Sequence, residues 1–285
     1  MVLQQVSPDA REERIFEIVN QLNYGTSLIS EQTQRNQLAR LNLTACRKAR
    51  TATAYQAARE YAAVGLSLLG ENAWQQQYEM SLAFHELAAE VAMLCGDFEA
   101  MEKSIDLVTE QAHSLLEQVN VYRIRIQGKT SQRQLNEVLA IGINILQQLG
   151  VNITESPTPA DIQQSIQEIS ELIGDREIAD FINLPVMTDA NKIAIAQIAS
   201  SIMGAAYTRG SLLYPLLATF LVKLFLRHGN ISVSASKYTC YSLVLCNMQN
   251  IDLATQFGNL ALNVAAKFDD KASKVEVFFL LGSYI

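Results

Sequence analysis

The chain has 285 residues, enough for one large domain or two ordinary ones, and 49% of them are hydrophobic, ample for a packed core. A net charge of −7 with only 18% charged residues and no basic block argues against a nucleic-acid partner. Glycine and proline are scarce, 13 and 5, which favours long helices over a turn-rich β architecture.

Apolar residues recur at spacings of three and four, the period that gathers side chains on one face of an α-helix. Tyr55, Ala58, Ala62, Leu66 and Leu69 form a first stripe. Met80, Phe84, Leu87, Val91 and Leu94 form a second, bounded by Asn72 as a cap and by Gly96. Phe98, Met101, Ile105, Val108, Ala112 and Leu115 form a third, directly after Gly96 and Asp97, a helix stop followed by an N-cap. Residues 119–126 (VNVYRIRI) alternate with period two, but an isolated strand has nothing to pair with, so helix is expected there.

At residues 150–161 (GVNITESPTPAD) a seam carries Pro157 and Pro159. Thr158, Pro159 and Asp161 read as an N-cap, a first-turn proline and a first-turn acid, so a helix restarts there. This seam divides the chain near residue 155 into two helical-repeat blocks, 1–155 and 156–285. The apolar run 212–226 is shorter than the roughly 20 residues a membrane span requires and contains Pro215 and Lys223, so a buried helix is expected instead. Leu253, Phe257, Leu260, Val264 and Phe268 make a fourth stripe. The terminal FFLLGSYI lacks a cap or polar tail, as expected of a second block truncated inside a repeat.

Turn signals at Gly96-Asp97, Gly128-Lys129, Gly150, Gly210, Gly229-Asn230 and Gln249-Asn250 arrive at irregular intervals of about 20 to 60 residues, against about 34 for a tetratricopeptide repeat. Helix, tight turn, helix is the pattern of hairpins that bury their apolar faces on their neighbours. The expected fold is therefore all-α, a tetratricopeptide-like α-α superhelix (a helical-hairpin solenoid) with irregular repeats; residues 83–111, with GDFEAM at their turn, come nearest to the repeat consensus.

Chemistry-bearing patterns are sparse. Cys46, Cys95, Cys240 and Cys246 form no CxxC pair and lie in helical stretches, which suggests reduced core residues and a cytoplasmic protein; residues 1–10 show no secretory signal. His85, followed by Glu86 and Leu87 (FHEL), resembles the phosphoacceptor box of a sensor histidine kinase, but the Arg-Thr-Pro that completes that box is replaced by Ala88, Ala89 and Glu90, so an ordinary amphipathic helix is expected. His113 shares a helix spacing with Glu110 and Glu117, which reads as a solvated surface. Neither a phosphate-cradling glycine loop, a GxSxG elbow nor the HRD and DFG signatures of protein kinases occurs. No catalytic, cofactor-binding or metal site is expected, and the chain itself is expected not to be an enzyme. A partner or ligand surface is expected at Tyr207, Tyr214, Tyr238 and Tyr241, part of an aromatic group with Phe220 and Phe225 in the second half.

Four segments carry a resemblance: residues 15–30 (IFEIVNQLNYGTSLIS), 38–69 (LARLNLTACRKARTATAYQAAREYAAVGLSLL), 74–78 (WQQQY) and 96–102 (GDFEAME). In this succession residues 15–150 resemble the helical region of very large bacterial, notably cyanobacterial, signalling kinases. Those proteins begin with a serine/threonine-kinase-like domain and continue with a P-loop signalling ATPase and a tetratricopeptide-like region. They end with GAF and sensor histidine kinase domains. After LNL the family usually reads Ala-Gly, basic-Ala-basic and an AY helix; here Ala45-Cys46, Lys48-Ala49-Arg50 and Ala54-Tyr55 follow, with Cys46 in place of the small residue. The resemblance is stronger before Gly150 than after it. It implies the middle of such a protein, a non-catalytic regulatory and interaction region relaying signals between the ATPase and kinase domains, in a two-component type of system. Partners would be proteins or the kinase and ATPase domains of the same polypeptide, and none of the family's catalytic motifs falls within this chain. The alternative is a small-molecule sensor with a pocket between helical hairpins.

Overall fold

A computed structural model of the chain describes residues 14–284; residues 1–13, on which the reading of the amino terminus falls, Ile285 and the side chain of Tyr284 lie outside the described residues. The described residues contain no strand, and the chain is all-helical apart from an isolated bridge between Val186 and Asn230. It divides into two compact units, one ending at Gly128 and the other beginning at Lys129. The seam expected near residue 155 falls inside the second unit.

The first unit contains α1 (Ile15–Tyr24), α2 (Gln32–Thr51), α3 (Tyr55–Leu68), the short α4 (Ala73–Gln76), α5 (Tyr78–Leu94), α6 (Phe98–Gln111) and most of α7 (Leu115–Ser131). Helix α2 pairs with α3, α5 pairs with α6, and α3 packs on α5. The stripes are where the core is: Ala58, Ala62 and Leu69 on one side, Met80, Phe84, Leu87 and Val91 on the next, then Met101, Ile105 and Val108. Where α3 crosses α5 only glycine fits, because a Cβ on Gly65 would lie 2.2 Å from Cζ of the fully buried Phe84. Asp97 caps α6 as expected, its carboxylate accepting the Ala100 N–H at 3.0 Å.

The second unit contains α8 (Leu135–Gln148), α9 (Pro159–Ile173), a 3-10 turn (Ile178–Asn183), α10 (Ala190–Thr208), α11 (Leu213–His228), α12 (Ser234–Asn247), α13 (Ile251–Phe268) and α14 (Lys271–Tyr284). Thr158 and Asp161 form the reciprocal capping box of α9 behind Pro159. The apolar run at 212–226 is α11, with Leu217, Leu221, Val222 and Phe225 buried and Lys223 paired to Glu168 at 2.6 Å. No helix among the described residues is long and apolar enough to cross a membrane. Asn230 ties the link before α10 to α12: it bonds Pro185 and Met187 through its backbone, Phe181 O through its amide, and accepts the Tyr238 hydroxyl.

One turn recurs. After α2, α5, α7, α8, α10 and α12 a residue with positive φ (Thr53, Gly96, Arg133, Gly150, Gly210, Gln249) is followed by an N–H that bonds the carbonyl five residues back. This Schellman geometry satisfies helix-end carbonyls that would otherwise have no partner. Only three of the six positions are glycine, so composition marks half of them.

Two expectations need correction. Asn72 does not cap the second-stripe helix: it precedes the four-residue α4 without a side-chain cap bond, and α5 begins only at Tyr78. Gly128 is not a turn. It lies inside α7, where a Cβ would lie 2.6 Å from Met101 Sδ, and the turn comes at Arg133. Residues 119–126 are helical, as expected, and their alternation arises because Val119, Val121, Ile124 and Ile126 are all buried, on more than one side of α7.

Candidate functional site

The expected tyrosine surface does not assemble as one. Tyr207 on α10 is exposed and meets Tyr214 of α11 edge-on at 5.1 Å. Burial, together with the neighbouring Cys240 thiol, pushes the Tyr214 hydroxyl well above the ordinary phenol range. Tyr238 and Tyr241, by contrast, are fully buried and pack against Phe257, with Phe225 edge-on to Tyr238. They belong to the core of the second unit, because α12 is enclosed almost all round. What is left of the expected surface is the Tyr207–Tyr214 pair.

The two histidines of the first unit are drawn into one aromatic group instead of lying on plain helix faces. Trp74 of α4 stacks on His85 at 5.3 Å, and Tyr78 at the start of α5 stacks on His113 at 3.9 Å. Trp74 and Tyr78 meet at 5.8 Å. The Tyr78 hydroxyl donates to Glu117 at 2.7 Å, and the His113 backbone N–H donates to the same carboxylate oxygen at 2.8 Å. The Tyr78 hydroxyl bond holds the Glu117 carboxyl below its ordinary range. Burial holds the His85 imidazole below its usual range, and its Nδ1 has no partner. His113 lies with Glu117 at exposed or half-buried positions, and Glu110 stays exposed.

The feature built from the most elements is a groove in the first unit. Arg47 and Arg50 of α2, Glu86 and Glu90 of α5, and Asn120 and Arg123 of α7 line a cavity of about 390 Å³. Spacings of three and four put each pair on one face of its helix, and the packing of the hairpins turns those three faces toward one another. A second cleft of about 530 Å³ shares Arg47 and Ala83 with the first and adds Arg40, Tyr78 and Glu79.

The charges in the groove are unevenly satisfied. Arg50 pairs with Glu90 at 2.6 Å, and the Asn120 amide donates to Glu86 at 3.3 Å. Burial pushes the Glu86 carboxyl up, opposed by the Asn120 bond and the charge of Arg47. Burial lowers the Arg123 guanidinium, opposed by Glu90. Arg40, Arg47 and Arg123 make no side-chain hydrogen bond or ion pair with any described residue. Sequence reading passed over this site because its members are about 35 residues apart on three helices. The only local trace is the three-residue spacing from Arg47 to Arg50, the residue that closes the basic-Ala-basic run.

Among the described residues no three His, Cys, Asp or Glu side chains converge on a position that would hold a metal ion. Cys46 is buried, its thiol donating to Ala58 O at 3.1 Å, and burial pushes it up to about 12; all four cysteines are free.

No family model matches the chain, and no solved structure matches it. It is similar to "Hybrid signal transduction histidine kinase G" of Dictyostelium discoideum, 21% identical over 300 residues. That alignment covers 95% of this chain but 9% of the relative, so the chain spans less than a tenth of the length of the protein it matches. The similarity supports a relationship to signalling kinases.

Proposed function

We propose that this chain is a non-catalytic regulatory and interaction region of a multidomain signalling kinase, a stack of tetratricopeptide-like hairpins that docks protein segments in the groove of its first unit. The observation that carries this reading is the groove itself: three helices, α2, α5 and α7, present polar, partly unpaired side chains to one concave space. A docking surface needs such unsatisfied groups on a rigid scaffold, and paired helices supply the rigidity. Support also comes from the recurring turn that closes the hairpins and from a relative in which the matching stretch is a small part of a much longer kinase. On this reading the chain works in the cytoplasm and relays signals between ATPase and kinase domains of the same polypeptide.

The test is site-directed photo-crosslinking. A photoreactive amino acid replaces Gln127, which lines the groove, and the chain is mixed with the separately produced kinase and ATPase domains of its own gene product. A crosslink to one of those domains, lost when the probe sits on the exposed face of α13 at Asn259, is expected; equal labelling from both positions, or none, overturns the reading.

A second reading, a small-molecule sensor, draws on the groove's volume of about 390 Å³, within the range of ligand pockets. A metabolite that occupied it at 100 times its Kd would add about 2.7 kcal/mol of stability. A thermal-shift screen without a hit removes this alternative.

A further inference from the structure

We propose that the occupant of the first-unit groove is an acidic polypeptide stretch whose carboxylates ligate Arg47 of α2 and Arg123 of α7, an inference that rests on reading this groove as a docking surface. The argument begins with what the groove leaves unsatisfied. Of its five charged side chains, Arg50 and Glu90 engage each other at 2.6 Å, and Glu86 takes the Asn120 amide. Arg47 and Arg123 are left without an ion pair, on two different helices, with α5 and its two glutamates beside both.

A guanidinium is the side chain best matched to a carboxylate, because its planar fork donates two parallel N–H bonds to the two oxygens. In a concave wall such a bond is screened less than on open surface, and its place in the groove already removes part of the water around the Arg123 guanidinium. The rest of the molecule sharpens the choice. The chain carries a net −7, so an acidic segment is repelled in general and meets an excess of cations over anions here: three arginines against two glutamates in the groove.

The geometry also sets a spacing. Arg40 and Arg47 are two helical turns apart on α2, a rise of about 10 Å. An extended peptide advances about 3.3 Å per residue, so carboxylates about three residues apart reach both. The second cleft, which runs from Arg47 to Arg40, gives such a segment its path. The ligand class is therefore an extended acidic segment in which at least one pair of carboxylates lies about three residues apart.

The test uses the full chain and a fluorescein-labelled peptide, Glu-Gly-Gly-Glu-Gly-Gly-Glu, followed by polarisation at about 20 mM and about 200 mM salt, with the lysine counterpart as control. The acidic peptide binds, and the lysine peptide does not. The double variant Arg47→Ala/Arg123→Ala weakens binding by about tenfold or more, as expected for the loss of two charge-assisted contacts. Glu86→Gln, which removes the competing carboxylate, tightens it several-fold. Arg209→Ala/Lys271→Ala removes two cations outside the groove and leaves affinity unchanged, which separates a local site from general attraction. Arg47 and Arg123 line an open groove and make no side-chain hydrogen bond or ion pair with a described residue, so their replacement leaves the helices folded, verified by circular dichroism. Equal affinity for both peptides, an equal loss in the two double variants, or displacement by millimolar inorganic phosphate as effective as by unlabelled peptide overturns the proposal. The crosslinking from Gln127 is independent of peptide charge: a partner domain still captured there while the acidic peptide fails leaves the docking surface standing and removes only its acidic occupant.

Discussion

Replacing Gly65 by alanine adds one methyl group at the crossing of α3 and α5, and two opposed effects can be weighed. As a helix-interior substitution it gains about 1 kcal/mol in backbone propensity. Against this, the new Cβ would lie 2.2 Å from Cζ and 2.3 Å from Cε1 of Phe84, where ordinary contact begins at 3.4 Å. Phe84 is 0% exposed, so its ring has no solvent to swing into and the two helices must separate. Overpacking of that kind costs about 1 to 3 kcal/mol, and with an intrusion of more than an ångström the upper part of that range applies. The net expectation is a loss of about 1 to 2 kcal/mol. The chain has one tryptophan, Trp74, and it lies in the first unit, so its fluorescence during urea unfolding reports this unit alone. The companion variant Phe84→Leu vacates the ring position. In the double variant the added methyl fills part of that space, so the two costs fail to add by about 1 kcal/mol or more. A stabilised Gly65→Ala, or additivity within about 0.5 kcal/mol, would refute the packing argument.

Other expectations follow from single buried groups. His85 is held below its usual range by burial, so the unfolded chain takes up its proton first as pH drops through about 6.5; stability is full above that value and declines below it, by at most about 1.4 kcal/mol per pH unit. His85→Phe flattens the melting-temperature profile between pH 7.5 and 5.5, and an unchanged slope contradicts the assignment. Tyr238→Phe deprives Asn230 of a 2.8 Å bond and costs about 1 kcal/mol, whereas Tyr241→Phe removes a buried hydroxyl that has no partner and is neutral or stabilising; chemical denaturation of the two variants decides between them. Glu276→Gln destabilises more than Lys237→Met in the same assay, because it strands the buried Lys237 ammonium while the methionine removes that charge altogether.

The parts of this structure that sequence reading reached are those set by local rules. The stripe Met101, Ile105, Val108 is buried because a 3.6-residue period leaves one face for the core. Asp97 and the Thr158–Asp161 pair cap helices because unpaired N–H groups at a helix start donate to whatever oxygen lies within three residues. Reading failed where an identical local signal has two physical outcomes. A glycine serves as a turn residue at Gly96 and as the thin spot for Met101 at Gly128. An aromatic at helical spacing can face solvent, as Tyr207 does, or the core, as Tyr238 and Tyr241 do. Thr53, Arg133 and Gln249 hold the left-handed position of their turns with no glycine to announce it.

By itself the sequence determined that this chain is helical, where most of its helices lie and which stripe of each seeks the core, since those properties depend on neighbours within one or two turns. Only the tertiary structure decided that Arg47, Glu86 and Arg123 share a groove, that Trp74 covers His85, and that α12 is enclosed on nearly every side. Those outcomes depend on how closely helices approach, and that distance is set by contacts such as Gly65 against Phe84, between residues that no local period relates.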